Sequence, residues 1–255
     1  MHWYDFDGKP QYEILGKNGK LRPTTLRDAR EHRFVPSVTT IIDVMAKPAL
    51  TNWLVTTAVA HTINSPKRSD ETIDDWAKRI AAEAREESFK TADAGTAIHA
   101  SVEAMLIGED ESIDPNHHPH VQAVLTTLRD AYGDSKWISE KSFCHHSGFG
   151  GKVDLHCKGT HEFPEGIVID IKTKDFGPDD DVKGWPNHVW QLAAYRKGLD
   201  MPDAQCGNLF VSRSHPGVAK LVTWSQLDLE RAWKAFDLMI DLWKIINNYD
   251  PTEGL

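Results

Sequence analysis

The hydrophobic period of this chain changes near residue 134, and that change constrains its fold more than any other feature. Before it, apolar residues recur at helical spacing. After it, five short segments alternate with period two: "KWISEKSFC", "GGKVDLHC", "GIVIDIKT", "GNLFVSR" and "GVAKLVTW", bounded by Gly, Pro and Asp. One helical stretch, "WPNHVWQLAAYRKGL", falls between the third and fourth. The layout predicts an α/β fold with a mixed central sheet of about five strands flanked by helices, and a helical amino-terminal half.

In that first half the opening reads as irregular or short hairpin structure with "GKNGK" as its turn. A short helix is expected from Ser37, and a longer one from near Pro48, whose position suits a first helical turn. "ETIDDWAKRIAAEAREESFK" predicts a third helix, with Thr72 and Asp75 at capping-box spacing. "TADAGTAIHASVEAMLIG" predicts a fourth, ending at Gly108, and a fifth runs from about His120 to Tyr132. A terminal helix from Ser225 to about Tyr249 is expected to bury Leu227, Ala232, Phe236, Met239, Ile240 and Trp243 on one side. At 255 residues the chain suits one domain: a mainly helical part over 1–133, a sheet core over 134–225 and a closing helix over 226–255.

A net charge of −9 argues against a protein that coats polyanions, because non-specific nucleic-acid binding rests on Lys and Arg neutralising phosphates. A local basic groove is still allowed, since residues 134–174 balance six acids against six bases. No apolar run approaches the length of a membrane span, and "MHWYDFDGKP" lacks a cationic region followed by an apolar one, so a cytoplasmic location is expected. Three cysteines, Cys144, Cys157 and Cys206, form no close-spaced metal pair and fit a reducing compartment.

The third strand segment, "IVIDIKTK", places charges inside a β-branched run. Alternation puts Val168, Asp170, Lys172 and Lys174 on one face and Ile167, Ile169, Ile171 and Thr173 on the other. In "GGKVDLHC" the same rule groups Lys152, Asp154 and His156. If these two strands are neighbours, Asp154 and Asp170 converge on one face with Lys172 two residues further along. Hard carboxylate oxygens are the ligands that Mg²⁺ and Mn²⁺ prefer, and a nearby ammonium can orient a water for attack on phosphorus. A structural ion pair on a wet strand face would use the same residues.

The spacing from Asp154 to Asp170-Ile171-Lys172 resembles the signature of the PD-(D/E)XK nuclease superfamily. "GTAIHASVE" puts Gly95, His99 and Glu103 in one helical stripe, and "QLAAY" puts Gln191 and Tyr195 on one face of the helix after the D-x-K strand. In the order G-x-x-x-H, G-x-V-D, D-x-K, Q-x-x-x-Y, the set resembles the RecB-type exonuclease branch. "PSVTTIIDVMAKPAL" adds a likeness to phage-encoded members and the mitochondrial genome maintenance exonuclease, and the resemblance covers about residues 35–225.

The resemblance implies a restriction-endonuclease-like core and a helical arch over the site. It implies His99, Asp154 and Asp170 as ligands of Mg²⁺ or Mn²⁺, with the Ile171 carbonyl completing the set, and Lys172 as the catalytic lysine. Gln191 and Tyr195 would support the site or contact the strand being cut. Glu140 matches an acidic position common in the family, and Glu103 would be a further supporting residue. The implied partner is DNA, single-stranded or with free ends, handled alongside a recombination or single-strand-binding protein, with no membrane. Products would carry 5′-phosphate and 3′-hydroxyl ends. One branch of the family holds an iron–sulfur cluster on four cysteines; with three here, none grouped near the carboxyl end, no such cluster is expected. A structure-specific endonuclease with the same site, or a catalytically silent DNA-binding scaffold, are the competing readings.

Other histidines are expected to be structural. Pro119 interrupts helical spacing in "NHHPH", so His117, His118 and His120 read as a loop, and His145 and His146 read as non-ligands. His156 shares the Asp154 face and could reach a phosphate. Of nine tryptophans most read as packing, with Trp53 and Trp185 as candidates for stacking on bases. Ser37, Thr39 and Thr40 lie at a helix start, where capping and phosphate binding call for the same groups.

Overall fold

The first 44 residues form small strands and two short helices: β1 (Trp3–Tyr4), β2 (Glu13–Leu15), β3 (Leu21–Pro23), α1 (Leu26–His32), β4 (Val35–Pro36) and α2 (Val38–Ile42). These come from a computed structural model that describes residues 1–254, and all of their side chains except those of residues 88, 90–93 and 110. The expected "GKNGK" turn joins β2 to β3 as an antiparallel hairpin. Ser37 caps α2 by accepting the Thr40 N–H at 3.0 Å.

Two compact units follow from the contacts: residues Met45–Ile98, and residues Met1–Val44 together with His99–Leu255. The first holds α3 (Pro48–Asn64), which starts at Pro48 as expected, and the amino-terminal part of α4 (Ile73–Ile107). Within it, Arg79 is ion-paired to Glu71 at 2.9 Å and Glu83 at 3.1 Å, and His61 meets Glu87 at 2.8 Å. The helices expected separately over "ETIDDWAKRIAAEAREESFK" and "TADAGTAIHASVEAMLIG" are one continuous helix, α4. No proline separates the two segments, and a single internal glycine, Gly95, costs a helix only about 1 kcal/mol. Thr72 caps α4 at the Asp75 N–H, 3.1 Å, while the Asp75 carboxylate accepts the Thr72 hydroxyl.

The second unit continues with α5 (His118–Tyr132), β5 (Ile138–His145), β6 (Phe149–Cys157), β7 (Ile167–Lys174), α6 (Pro186–Gly198), β8 (Gln205–Ser212), β9 (Ala219–Trp224) and α7 (Gln226–Asn247). All five strand segments read from the sequence form one sheet in the order β5-β6-β7-β8-β9. Neighbours are antiparallel except β7 and β8, which are parallel because α6 carries the chain back between them. The sheet is therefore mixed, and the architecture is α/β.

One core cluster joins the sheet to α2, α6 and α7. Phe149, Val153, Val168 and Cys206 pack there with Leu192, Ala193, Phe236, Ile240 and Trp243. The helix α5 packs against β8 and β9. Helix α7 differs from expectation at one residue: Leu229 is buried and Leu227 is 54% exposed. Ser225 caps the helix by accepting the Asp228 N–H, and from that start position 229, not 227, falls on the side of Ala232, Phe236 and Met239. No helix among the described residues is long and apolar enough to cross a membrane.

Candidate active site

The two acids meet because of strand register. In the β6–β7 pair, Leu155 faces Ile169, His156 faces Val168 and Cys157 faces Ile167; one step further along that register lie Asp154 and Asp170. Asp154 Oδ2 accepts the Ile171 backbone N–H at 2.7 Å, so a side chain rather than the β6 backbone satisfies this amide where the ladder ends.

Asp170 is fully buried, and both of its oxygens are held. Lys172 Nζ donates to Oδ1 at 2.8 Å, and Asn208 Nδ2 donates to Oδ2 at 2.7 Å. The parallel register of β7 and β8 sets Asn208 directly beside Asp170, and Trp224 Nε1 fixes the Asn208 amide by donating to its Oδ1 at 2.8 Å. Lys172 also donates to Gln191 Oε1 at 3.1 Å, and Gln191 Nε2 donates to the Tyr195 hydroxyl at 2.8 Å. Gln191 and Tyr195 lie four residues apart on α6, so one helix face delivers both to the same strand. That helix opens with Pro186 in its first turn, where a missing N–H costs nothing.

The tandem glycines of "GGKVD" make room for this arrangement. A Cβ on Gly151 would lie 2.8 Å from the Phe143 ring and 3.0 Å from Tyr195 Cε1, and one on Gly150 would lie 2.7 Å from Tyr4. Without side chains at these positions, aromatic rings rest directly on β6.

His99 is on α4 with its Nδ1 3.7 Å from Asp154 Oδ2, too far for a direct hydrogen bond, and its side chain is 28% exposed. Glu103 follows one turn later and is half-buried. Glu140 takes the register position across from Asp154, between the pairs Ser139–Leu155 and Lys141–Val153. Its φ of 54° is left-handed, and it is ion-paired to Lys152. Lys152 is thereby committed to Glu140 and is not gathered with Lys172. The group of Ile171 tied to the acids is its N–H. His156 is buried, which keeps it from the solvent side where a phosphate would arrive. His118 and His120, expected in a loop, lie in the first turn of α5, where Pro119 is tolerated because the first N–H groups of a helix have no partner within it. His117 bonds Ser101 at 2.8 Å and stacks on His120, a packing role; His145 packs at a tilt against His146 and Phe149.

Electrostatics follow from this crowding. Burial, and next the charge of Asp170, push the Asp154 carboxyl above its ordinary value. Burial works against the Lys172 ammonium, but the attraction of Asp170 and Asp154 outweighs it, and the net shift is upward. Lys172 is therefore charged throughout the neutral range. Burial, with the two acids adding to it, holds the Tyr195 phenol far above its usual value and hence neutral. His188, one turn before Gln191, is pushed down to about 4 by burial and then by Lys172, so its imidazole is neutral.

Three residues of this network were not singled out by sequence reasoning: Asn208, Trp224 and His188. Asn208 did leave a signal, since an amide in the apolar run "GNLFVSR" is a buried polar group that requires partners. Trp224 and His188 left none.

The donor set suits a hard divalent cation. Two carboxylates face each other across the register with one ammonium on Asp170, and the upward push on Asp154, chiefly from burial and next from Asp170, is one that a neighbouring dication would oppose. Among the described residues no three His, Cys, Asp or Glu side chains converge as a ready-made metal cage. Mg²⁺ is commonly held by one or two carboxylates plus waters and substrate phosphate, and that sparse set is what Asp154 and Asp170 offer, with His99 at its margin.

No protein-family model matches the chain. No curated protein matches it either. Solved structures with some likeness include one titled "Crystal structure of SSO0001", with a TM-score of 0.28 and 11% identity over 75% of this chain and 86% of that chain. A likeness at this level says nothing about the site.

Proposed function

We propose that this chain is a Mg²⁺- or Mn²⁺-dependent deoxyribonuclease of the PD-(D/E)XK kind, hydrolysing phosphodiester bonds from DNA ends and favouring single strands, in replication, recombination or repair. The observation that carries the reading is the buried Asp170 carboxylate, flanked by Asp154 across the register and by the Lys172 ammonium at 2.8 Å. A solvated ion pair has no need of a fully buried acid braced by Asn208 and Trp224.

The dication, held by Asp154 and Asp170 with His99 beside them, would supply Lewis acidity toward the phosphate and a more acidic water. The chain's own residues do the rest. Lys172 has three N–H donors, and Asp170 and Gln191 engage two, leaving the third for an incoming water or phosphate oxygen. Because the ammonium stays charged, it offsets negative charge that grows on phosphorus oxygens. Tyr195 accepts from Gln191 and keeps its own proton, so it orients Gln191, and through it Lys172, without taking up charge.

The test uses end-labelled linear and covalently closed circular single-stranded DNA, each with Mn²⁺ or with EDTA. Shortening of linear strands, sparing of circles and silence in EDTA are expected. Rapid nicking of circles would make the enzyme an endonuclease. Binding without cutting under any divalent cation would replace the nuclease reading with that of a scaffold.

A further inference from the structure

The outer face of α7 carries a pattern that the sheet core does not use. Leu227, Arg231, Lys234, Leu238, Asp241 and Ile245 follow one another at spacings of about four and three residues, the period that keeps a seam on one side of a helix. All six are exposed. Leu238 is 71% exposed and Ile245 75%, with Leu242 and Ile246 exposed beside them. The opposite side of the helix is anchored by Leu229, Phe236, Ile240 and Trp243, so this stripe of three apolar and three charged residues faces solvent. Among the described residues Arg231, Lys234 and Asp241 have no ion-pair partner within the chain.

We infer that this face pairs antiparallel, about a two-fold axis, with the same face of a second copy of the chain. An antiparallel match that sets Leu227 against Ile245 centres the axis at the level of Phe236, and the remaining seam positions then fall into register. Arg231 meets Asp241 of the second copy, and Asp241 meets its Arg231. Lys234 lies against Leu238, covering it with its methylene stem while the ammonium reaches water. Both ends of the seam are apolar against apolar, and both charged steps are opposite in sign. A parallel pairing would set Arg231 on Arg231, Lys234 on Lys234 and Asp241 on Asp241, so charge selects the antiparallel arrangement. The seam is about 27 Å long at 1.5 Å per residue, which suits a weak association, on the order of micromolar, rather than an obligate dimer. The pairing does not depend on what the Asp154–Asp170 site does.

Sedimentation velocity on the full chain from about 1 to 200 μM tests it. The wild type is expected to shift from monomer to dimer across that range. Asp241→Arg puts Arg against Arg and Arg231→Asp puts Asp against Asp, so each variant alone should weaken association at least tenfold. An equimolar mixture of the two should associate again, because the seam of one chain then carries arginine at both charged positions and the seam of the other carries aspartate at both. Both positions are exposed, and unchanged circular dichroism and melting would exclude unfolding as the cause. A wild type that stays monomeric at 200 μM overturns the inference. So do single variants that dimerise like the wild type, or a mixture that fails to re-associate.

Discussion

Asp154 holds the backbone of its neighbour strand: its Oδ2 accepts the Ile171 N–H at 2.7 Å, one residue past Asp170. The acid that faces Asp170 therefore also fixes the strand that carries Asp170 and Lys172. Position and charge at this site are coupled, and the consequences can be measured.

Asp170→Asn removes the buried charge that holds Lys172 and Asn208. Divalent-dependent cleavage should fall by at least a thousandfold, and binding of Mn²⁺ measured calorimetrically should weaken sharply. The fold should survive with a loss of roughly 1–3 kcal/mol, because the Lys172 ammonium keeps only part of its pairing. Wild-type cleavage by this variant would remove Asp170 from the site.

Lys172→Ala separates catalysis from binding. Loss of the aimed ammonium should slow cleavage by two orders of magnitude or more, while the salt dependence of DNA binding changes by no more than about one counterion. Weakened binding with an unchanged single-turnover rate would make Lys172 a phosphate contact only.

Gly151→Ala tests the support of α6. The added Cβ would stand 2.8 Å from the Phe143 ring and 3.0 Å from Tyr195, so the rings must shift and carry Gln191 with them. Stability should drop by about 1–3 kcal/mol. The turnover rate should drop further than the DNA affinity. An active and equally stable variant would show that Tyr195 does not need its seat on β6.

Much of this is legible in the sequence. The strands are readable because alternation survives wherever one face is core, as in Ile167, Ile169 and Ile171, and the meeting of Asp154 with Asp170 follows from two neighbouring strands and a register. Asn208 is harder, since its partner in β7 is set by a parallel pairing that α6 makes across 38 residues, and nothing local in "GNLFVSR" shows it. The joining of two expected helices into α4 turns on the absence of any strong breaker between them. Leu227 is misplaced by periodicity because a helix with solvent on one face has apolar residues on two sides, and the period does not say which side the core takes.

Asn208→Leu should destabilise the chain by about 1–3 kcal/mol, since it strips a donor from Asp170 and the acceptor from Trp224. Trp224→Phe should cost less, and the double variant should fall short of the sum by about 0.5 kcal/mol or more in urea unfolding. Full additivity would mean that Trp224 does not act through Asn208.

Acid should weaken the fold through two histidines. His145 and His188 are each pushed down to about 4, both chiefly by burial, from an ordinary 6.5. Between those values the unfolded chain binds protons that the folded chain refuses, so stability rises with pH across the window. The contribution is complete above about 6.5 and is lost as pH falls toward 4; both rings are only half-buried, so solvent screening reduces it to about 1 kcal/mol for each. Urea midpoints from pH 7.5 to 4.5 should show the decline, and His145→Phe should flatten it. Equal acid sensitivity in the wild type and His145→Phe would remove His145 as a source of the decline.

The bond from Trp224 to Asn208 gives the site a built-in optical reporter. The indole is separated from the Asp170 carboxylate by a single amide, and an amide polarised at one end binds more strongly at the other. Any event that engages or replaces Asp170, whether a substitution or an arriving cation, changes the electric field at a chromophore visible in ultraviolet light. What binds the acid can thus be followed in the unlabelled protein, with Trp224→Phe as the silent control.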